Sequence, residues 1–200
     1  MISNDFAAMK RLKLATSNAR KAQEIEEILE MPVDRLDLDL IEVQAIDVAD
    51  VIEAKARDAY AKAGIPVLVE DTGLYINGWN GLPGALITWF MKTVDDAGIC
   101  RMLDGWENRA AYAQTMIGLF DGEIFRGFSG TLTGSIALAP RGENGFGWDT
   151  ILIPDGSPRT LAEMKSAEKN AISMRKRAAE ELRVFLIDSS DGTISGRPME

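Results

Sequence analysis

The stretch Pro66-Val67-Leu68-Val69-Glu70-Asp71-Thr72-Gly73 runs three apolar residues straight into two carboxylates. Val67 and Val69 are β-branched, and Gly64 and Pro66 mark a turn just before them, so the run reads as a short buried strand. Glu70 and Asp71 then fall at its carboxyl end, where open α/β sheets set their ligand crevice. Successive strand side chains point to opposite faces, so at most one of the pair is expected to face that crevice. Two acids there suit a hard divalent cation or a general base. A solvated strand-to-loop junction would look the same from this stretch alone.

Composition narrows the chemistry. The chain has 200 residues, enough for one domain with a sizeable core, and its 46% hydrophobic and 26% charged residues are those of a water-soluble globular protein. Its 22 Lys and Arg against 31 Asp and Glu give a net charge of −9, which argues against nucleic-acid binding but leaves room for a local basic pocket. There is no histidine, so His-based triads and His metal sites are excluded. Cys100 is the only cysteine, so neither an intramolecular disulfide nor a cysteine metal cluster can form, and its flanks Ile99 and Met102 point to a buried structural thiol. What is left is carboxylates, lysines, hydroxyls and a hard metal. The first ten residues lack the pattern of a signal peptide, and no apolar run approaches membrane-spanning length, so a reduced, cytoplasmic location is expected, with no membrane partner.

Outward from the central stretch, the chain alternates strand and helix signals. Residues 12–15 read as a strand running through Thr16-Ser17-Asn18-Ala19-Arg20-Lys21 into a helix over 22–30. Free N–H groups at such a turn, with Lys21 just inside, favour an anion. Thr16 or Asn18 as a plain helix cap fits the same residues, and the glycine spacing of a P-loop is absent. Residues 36–42 alternate with period two, the pattern of a half-buried strand ending near Glu42. A helix over 50–63 closes at Gly64, and Pro83 is placed to start another helix holding Trp89 and Phe90.

The second half looks different. Residues 110–120 alternate, Asp121-Gly122 forms a hairpin turn, 123–128 return, and 129–136 add a further extended segment, so an antiparallel lobe is expected beside the α/β lobe. A glycine-rich loop over 141–149 carries Phe146 and Trp148 ahead of a strand over 150–153. Its aromatics either stack on a base or pin the loop to the core. A last helix is expected over 166–185 with Ser166 as N-cap. Lys169, Ser173 and Lys176 would share one of its faces, with Arg175 nearby, and a basic face of this kind is as readily a solvated one. Residues 188–200 read as a polar, frayed tail after a single domain over 1–187.

In order, the motifs Thr16-Ser-Asn-Ala-Arg-Lys21, Leu40-Ile-Glu42-Val-Gln44, Val69-Glu-Asp71-Thr72, Gly81-Leu-Pro-Gly84, Phe146-Gly-Trp-Asp149 and Glu168-Lys-Asn-Ala-Ile-Ser-Met-Arg175 resemble the inosine triphosphatase family over most of the chain. The resemblance implies an elongated two-lobed α/β fold, with a mixed twisted sheet, flanking helices and an active cleft between the lobes. It implies a Mg²⁺-dependent homodimer, with Mn²⁺ as a substitute metal. The reaction it implies is hydrolysis of ITP, dITP or XTP, non-standard purine nucleoside triphosphates, to the monophosphate and pyrophosphate.

Carried over by motif, Glu42 and Asp71 resemble the metal carboxylates, with Asp71 also the water-activating base. Thr16, Ser17, Asn18 and Lys21 would hold the triphosphate together with Lys55, and Thr72 stands beside Asp71. Phe146 would stack on the base in a pocket lined by Gly147, Trp148 and Asp149. Lys169, Ser173, Met174 and Arg175 fall where the family reads the purine edge or the phosphate arm. Three residues depart from the pattern: Ser17 in place of glycine, Thr88 in place of a lysine or arginine, and Met174 in place of histidine. They bear on base specificity, and leave open the same reaction on another modified or pyrimidine nucleotide, or a nucleotide-binding protein without turnover.

Overall fold

The computed structural model describes residues 11–190. Strand β1 (Leu12–Ala15) leads into helix α1 (Ala19–Leu29), strand β2 (Val33–Leu36) and helix α2 (Val48–Ala63). Strand β3 (Val67–Ile76) pairs with the short β4 (Pro83–Gly84), and helices α3 (Ile87–Thr93) and α4 (Asp95–Met102) follow. A long hairpin of β5 (Ala110–Phe120) and β6 (Phe125–Ile136), then β7 (Leu152–Pro154) and helices α5 (Ser166–Ile172) and α6 (Met174–Ser190), complete the fold. The strands form one seven-stranded sheet in the order β2-β1-β3-β5-β6-β7, with β4 beside β3. Pairing is parallel among β2, β1 and β3 and antiparallel beyond, so the α/β lobe and the antiparallel lobe share a single open, mixed sheet through β3.

The central strand does not stop at its carboxylates. β1 pairs with β3 only as far as Ala15 opposite Val69, but β5 pairs antiparallel along β3 from Val67 to Ile76 and carries it straight through Glu70 and Asp71. The acids therefore sit where the parallel neighbour ends, beside open space on one edge of a continuing strand. Alternation then sends them apart. Leu68 belongs to the core under α1 and α6, and Glu70 follows it on that face. Val67 and Val69 pack with Ile52 and Ala56 of α2, and Asp71 follows them on the other.

Other boundaries move for local reasons. α1 starts at Ala19 because Asn18 Oδ1 accepts from the Arg20 amide at 3.0 Å, and α2 starts at Val48 because Asp47 accepts from Ala49 at 2.9 Å. The expected strand over 36–42 is not one: β2 ends at Leu36, where its partner β1 runs out, and residues 37–47 have no regular structure. The alternation is still used, since Leu38 and Leu40 follow Leu36 against the α2 core, now without a ladder. Pro83 begins β4 instead of a helix; the chain there passes so close to the carbonyl of Ile46 that a Cβ on Gly84, at φ 59°, would lie 2.2 Å from it. The segments expected over 123–128 and 129–136 merge into one strand that starts only at Phe125 and pairs with β5 from there to Ser135, and the strand expected over 150–153 is β7, which starts at Leu152 after a 3₁₀ turn over Gly147–Thr150.

The last helix breaks at Ser173, which is extended at ψ 150° with its Oγ accepting from the Lys176 amide at 3.1 Å. Lys169 and Lys176 therefore do not share a helix face, and Lys176 pairs with Glu180 at 3.5 Å instead. α5 is capped at Lys165, whose amide bonds Glu168, rather than at Ser166. The helical backbone extends through Ser190, so the first residues of the expected tail are its last turn; 191–200 lie outside the described residues. Among the described residues no helix is long and apolar enough to cross a membrane.

Candidate active site

A cleft of about 1030 Å³ opens where β1 ends. Of the residues singled out from the sequence, Thr16, Ser17, Asn18, Lys21, Glu42, Lys55, Asp71 and Thr72 line it. So do Thr88, Phe146, Gly147, Trp148, Asp149, Lys169, Met174 and Arg175. Ser173 is buried, and its hydroxyl serves as the cap of α6 rather than opening onto the cleft.

Asp71 lies on the α2 side between two lysines. Its Oδ2 is 3.7 Å from Lys55 Nζ and its Oδ1 is 3.9 Å from Lys21 Nζ, while Oδ1 also accepts from the Thr72 amide at 2.8 Å. Lys55 Nζ is in turn 4.0 Å from Glu42 Oε1, so Glu42 and Asp71 converge on one cation although they come from an irregular segment and a strand. These are hard oxygen donors, and two such carboxylates fit a hard divalent cation such as Mg²⁺ or Mn²⁺. Among the described residues no group of three or more His, Cys, Asp or Glu side chains forms a complete protein cage.

Glu70, on the opposite face, anchors a buried charge network. Arg175 donates to Glu70 Oε1 from Nε at 3.2 Å and from Nη2 at 3.0 Å, and its Nη1 bonds Glu24. The Thr72 hydroxyl donates to the same Oε1 at 2.8 Å. Lys21 Nζ stands 2.7 Å from Oε2, close enough to pair charges although its approach is not that of a hydrogen bond. Burial pushes the Glu70 carboxyl up, but Arg175 and Lys21 outweigh it and hold it down at about 2. Arg175 is only 2% exposed and is neutralised on two sides, so it is first of all a tie between α6, α1 and β3.

The aromatic loop is built on Asp149. Its Oδ2 accepts from the Phe146 amide at 2.9 Å and from Lys169 Nζ at 2.9 Å. A Cβ on Gly145, at φ 78°, would lie 2.2 Å from that oxygen, so only glycine fits there. The two aromatics part company. Trp148 packs against the core under the antiparallel half, whereas the Phe146 ring stands 4.7 Å from Lys169 Nζ and 5.8 Å from the Arg175 guanidinium. Met174 is 4% exposed and belongs to that same apolar cluster, at the point where it meets the cleft. At the turn over 16–18 the helix-cap reading is what the geometry shows: Thr16 Oγ1 accepts from the Asn18 amide at 3.1 Å and Asn18 caps α1. The start of α1, with Lys21, still faces the cleft.

Sequence reasoning did not assign Glu24, which pairs with Arg175 and, at 3.5 Å, with Lys169, nor Lys92 of α3, which lines the cleft. The spacing of Glu24 three residues after Lys21 on α1 was the available signal. Lys92 had none, because its helix was not placed against the others.

Fold and cleft together define an open α/β protein with a large cleft set where its sheet changes from parallel to antiparallel. The chain belongs to the Ham1 family, which residues 12–185 match. It is 40% identical over 172 residues to a protein of Hyperthermus butylicus named dITP/XTP pyrophosphatase, covering 84% of this chain and 90% of that one. It is 39% identical to the inosine triphosphate pyrophosphatase 1 of Trypanosoma cruzi, covering 84% and 88%. Among solved structures, a HAM1 protein from Coxiella burnetii superposes with a TM-score of 0.80 at 31% identity, covering 90% of this chain and 100% of that one. The resemblance to the inosine triphosphatases and the mixed α/β fold it implied are thus borne out.

Proposed function

We propose that the chain is a metal-dependent nucleoside-triphosphate pyrophosphatase, a hydrolase that cleaves ITP, dITP and XTP between the α- and β-phosphoryl groups. Water adds its oxygen to phosphorus, the bridging bond breaks with its electron pair going to the leaving group, and a nucleoside monophosphate and pyrophosphate result. The names of the relatives support the reaction class. The observation that carries the assignment to this cleft is Asp71, held between Lys21 and Lys55 and converging with Glu42.

Glu42 and Asp71 would hold the Mg²⁺, which when bound neutralises phosphate charge. Lys21, Lys55 and the turn at Thr16, Ser17 and Asn18 bind and align the triphosphate. Asp71 takes the proton from the attacking water, and the Thr72 amide fixes the orientation of its carboxylate. Phe146 stacks on the base within the pocket formed by Gly147, Trp148, Asp149, Lys169 and Met174. Arg175 and Ser173 support that wall from behind. The chain acts as a single domain, in the cytoplasm, as a homodimer; sedimentation that stays monomeric at every concentration would remove the last point.

The deciding experiment is pyrophosphate release from ITP, XTP, dUTP, ATP and GTP, with and without Mg²⁺, for the natural chain and Asp71→Asn. ITP and XTP should lead the panel, release should need metal, and Asp71→Asn should keep a near-normal melt while losing far more than tenfold, about 1.4 kcal/mol of barrier. Loss within that tenfold, or equal turnover of all five nucleotides, would remove the assignment. A lead by dUTP would instead favour a pocket retuned to a pyrimidine, a reading that Thr88 and the apolar Met174 at the cleft wall keep open.

A further inference from the structure

Residues 37–47 carry Glu42 and have neither strand nor helix to hold them, and Ile41 is 65% exposed. A stripe of α2 takes the place of the missing strand partner. Lys55, Asp58 and Lys62 lie three and then four residues apart, on one face of the helix. They meet the segment in reverse order. Lys55 Nζ reaches Glu42 Oε1 at 4.0 Å, Asp58 Oδ2 accepts from the Ile41 amide at 2.8 Å, and Lys62 Nζ donates to the carbonyl of Asp39. Asp58 and Lys62 also bond each other at 2.7 Å, which fixes both side chains. The far end is tied separately, where the Ala85 amide donates to the Ile46 carbonyl at 2.8 Å and Trp89 Nε1 donates to Gln44 Oε1.

We infer that Asp58 and Lys62 are positioning residues of the cleft: they pin the backbone on the near side of Glu42 and so set where its carboxylate stands relative to Asp71. The inference rests on the proposed role of Glu42 as a metal acid. The physical reason is that an exposed carboxylate on an unpaired segment would otherwise lose conformational freedom each time it engages a cation. Neither residue lines the cleft, so their effect has to pass through the segment.

The test uses the full chain with Asp58→Ala, Asp58→Asn and Lys62→Met, reading amide exchange over 39–42, the magnesium concentration for half-maximal ITP turnover, and a thermal melt. Asp58→Ala should speed exchange at Ile41 and raise the half-activating magnesium concentration about ten- to a hundredfold, the usual cost of losing support behind a ligand. Turnover at saturating magnesium should change far less. Asp58→Asn keeps an acceptor for the Ile41 amide and should recover most of the loss. Unchanged exchange with Asp58→Ala, or faster exchange with unchanged magnesium dependence, overturns the inference. If the natural chain turns over ITP without metal, it is the metal reading of Glu42 that fails. The tether itself is then still decided by exchange at Ile41.

Discussion

Phe146 and Trp148 stand two residues apart on one loop, and their surroundings separate their work. The Phe146 ring keeps company with the cations of Lys169 and Arg175 and belongs to no apolar core cluster, while Trp148 packs against one. Phe146→Ala should therefore raise KM for nucleotides, by the equivalent of about 1–3 kcal/mol for a lost base stack, and leave inhibition by inorganic pyrophosphate unchanged, since pyrophosphate has no ring. Trp148→Ala should instead lower stability, by about 1–3 kcal/mol. Steady-state kinetics with both ligands, beside urea melts of both variants, decide the matter. Equal weakening of nucleotide and pyrophosphate by Phe146→Ala would make Phe146 a structural pin as well.

At the scale of elements, the site depends on how closely α6 lies on β6. A Cβ placed on Gly130 would stand 2.1 Å from the carbonyl oxygen of Met174 and 2.6 Å from the amide nitrogen of Ala178, both backbone atoms that cannot swing away. α6 thus rests directly on the sheet at the turn that delivers Met174 and Arg175 to the cleft. Gly130→Ala should push that end of the helix outward, costing about 1–3 kcal/mol as overpacking does. Urea unfolding gives the cost, and a loss below about 0.5 kcal/mol, the range of indifferent surface changes, would mean the contact is looser than it stands here. The same scale explains the broken last helix: Ser173 interrupts it so that α5 can bring Lys169 to Asp149 while α6 brings Arg175 to Glu70.

Across the whole molecule, one charge network joins α1, β3, α5, α6 and the aromatic loop through Lys21, Glu24, Glu70, Asp149, Lys169 and Arg175. Its pH dependence has a definite sign. Glu70 is held at about 2 in the folded chain against an ordinary value of 4.5. The unfolded chain therefore takes up its proton first as pH falls, and the stability Glu70 contributes is full above about 4.5 and lost between there and 2. The amount is about 3 kcal/mol. Chemical unfolding at pH 7, 4.5 and 3 should show that decline in the natural chain and a shallower one in Glu70→Gln. The variant should also be weaker by about 3–5 kcal/mol at pH 7, because Arg175 and Lys21 lose their buried partner. Identical pH slopes in the two proteins would mean that other carboxylates carry the acid sensitivity.

The sequence by itself determined the local matters. Apolar runs and alternation located β1, β3 and β5, the Asp121-Gly122 turn located the hairpin, and the absence of histidine with a single cysteine left carboxylates and lysines as the available chemistry. Of the site residues implied by the resemblance, all but Ser173 line the cleft. Only the tertiary structure decided the rest, because each point turns on a partner distant in sequence. Whether β3 ends at Glu70 or runs on depends on β5, some forty residues later. Whether 36–42 forms a strand depends on the length of β1, and whether Arg175 is free for a ligand depends on Glu24 and Glu70. Periodicity records which face of a segment is buried, as Leu36, Leu38 and Leu40 show. It does not record what buries it, since a helix and a neighbouring strand cover an alternating face equally well.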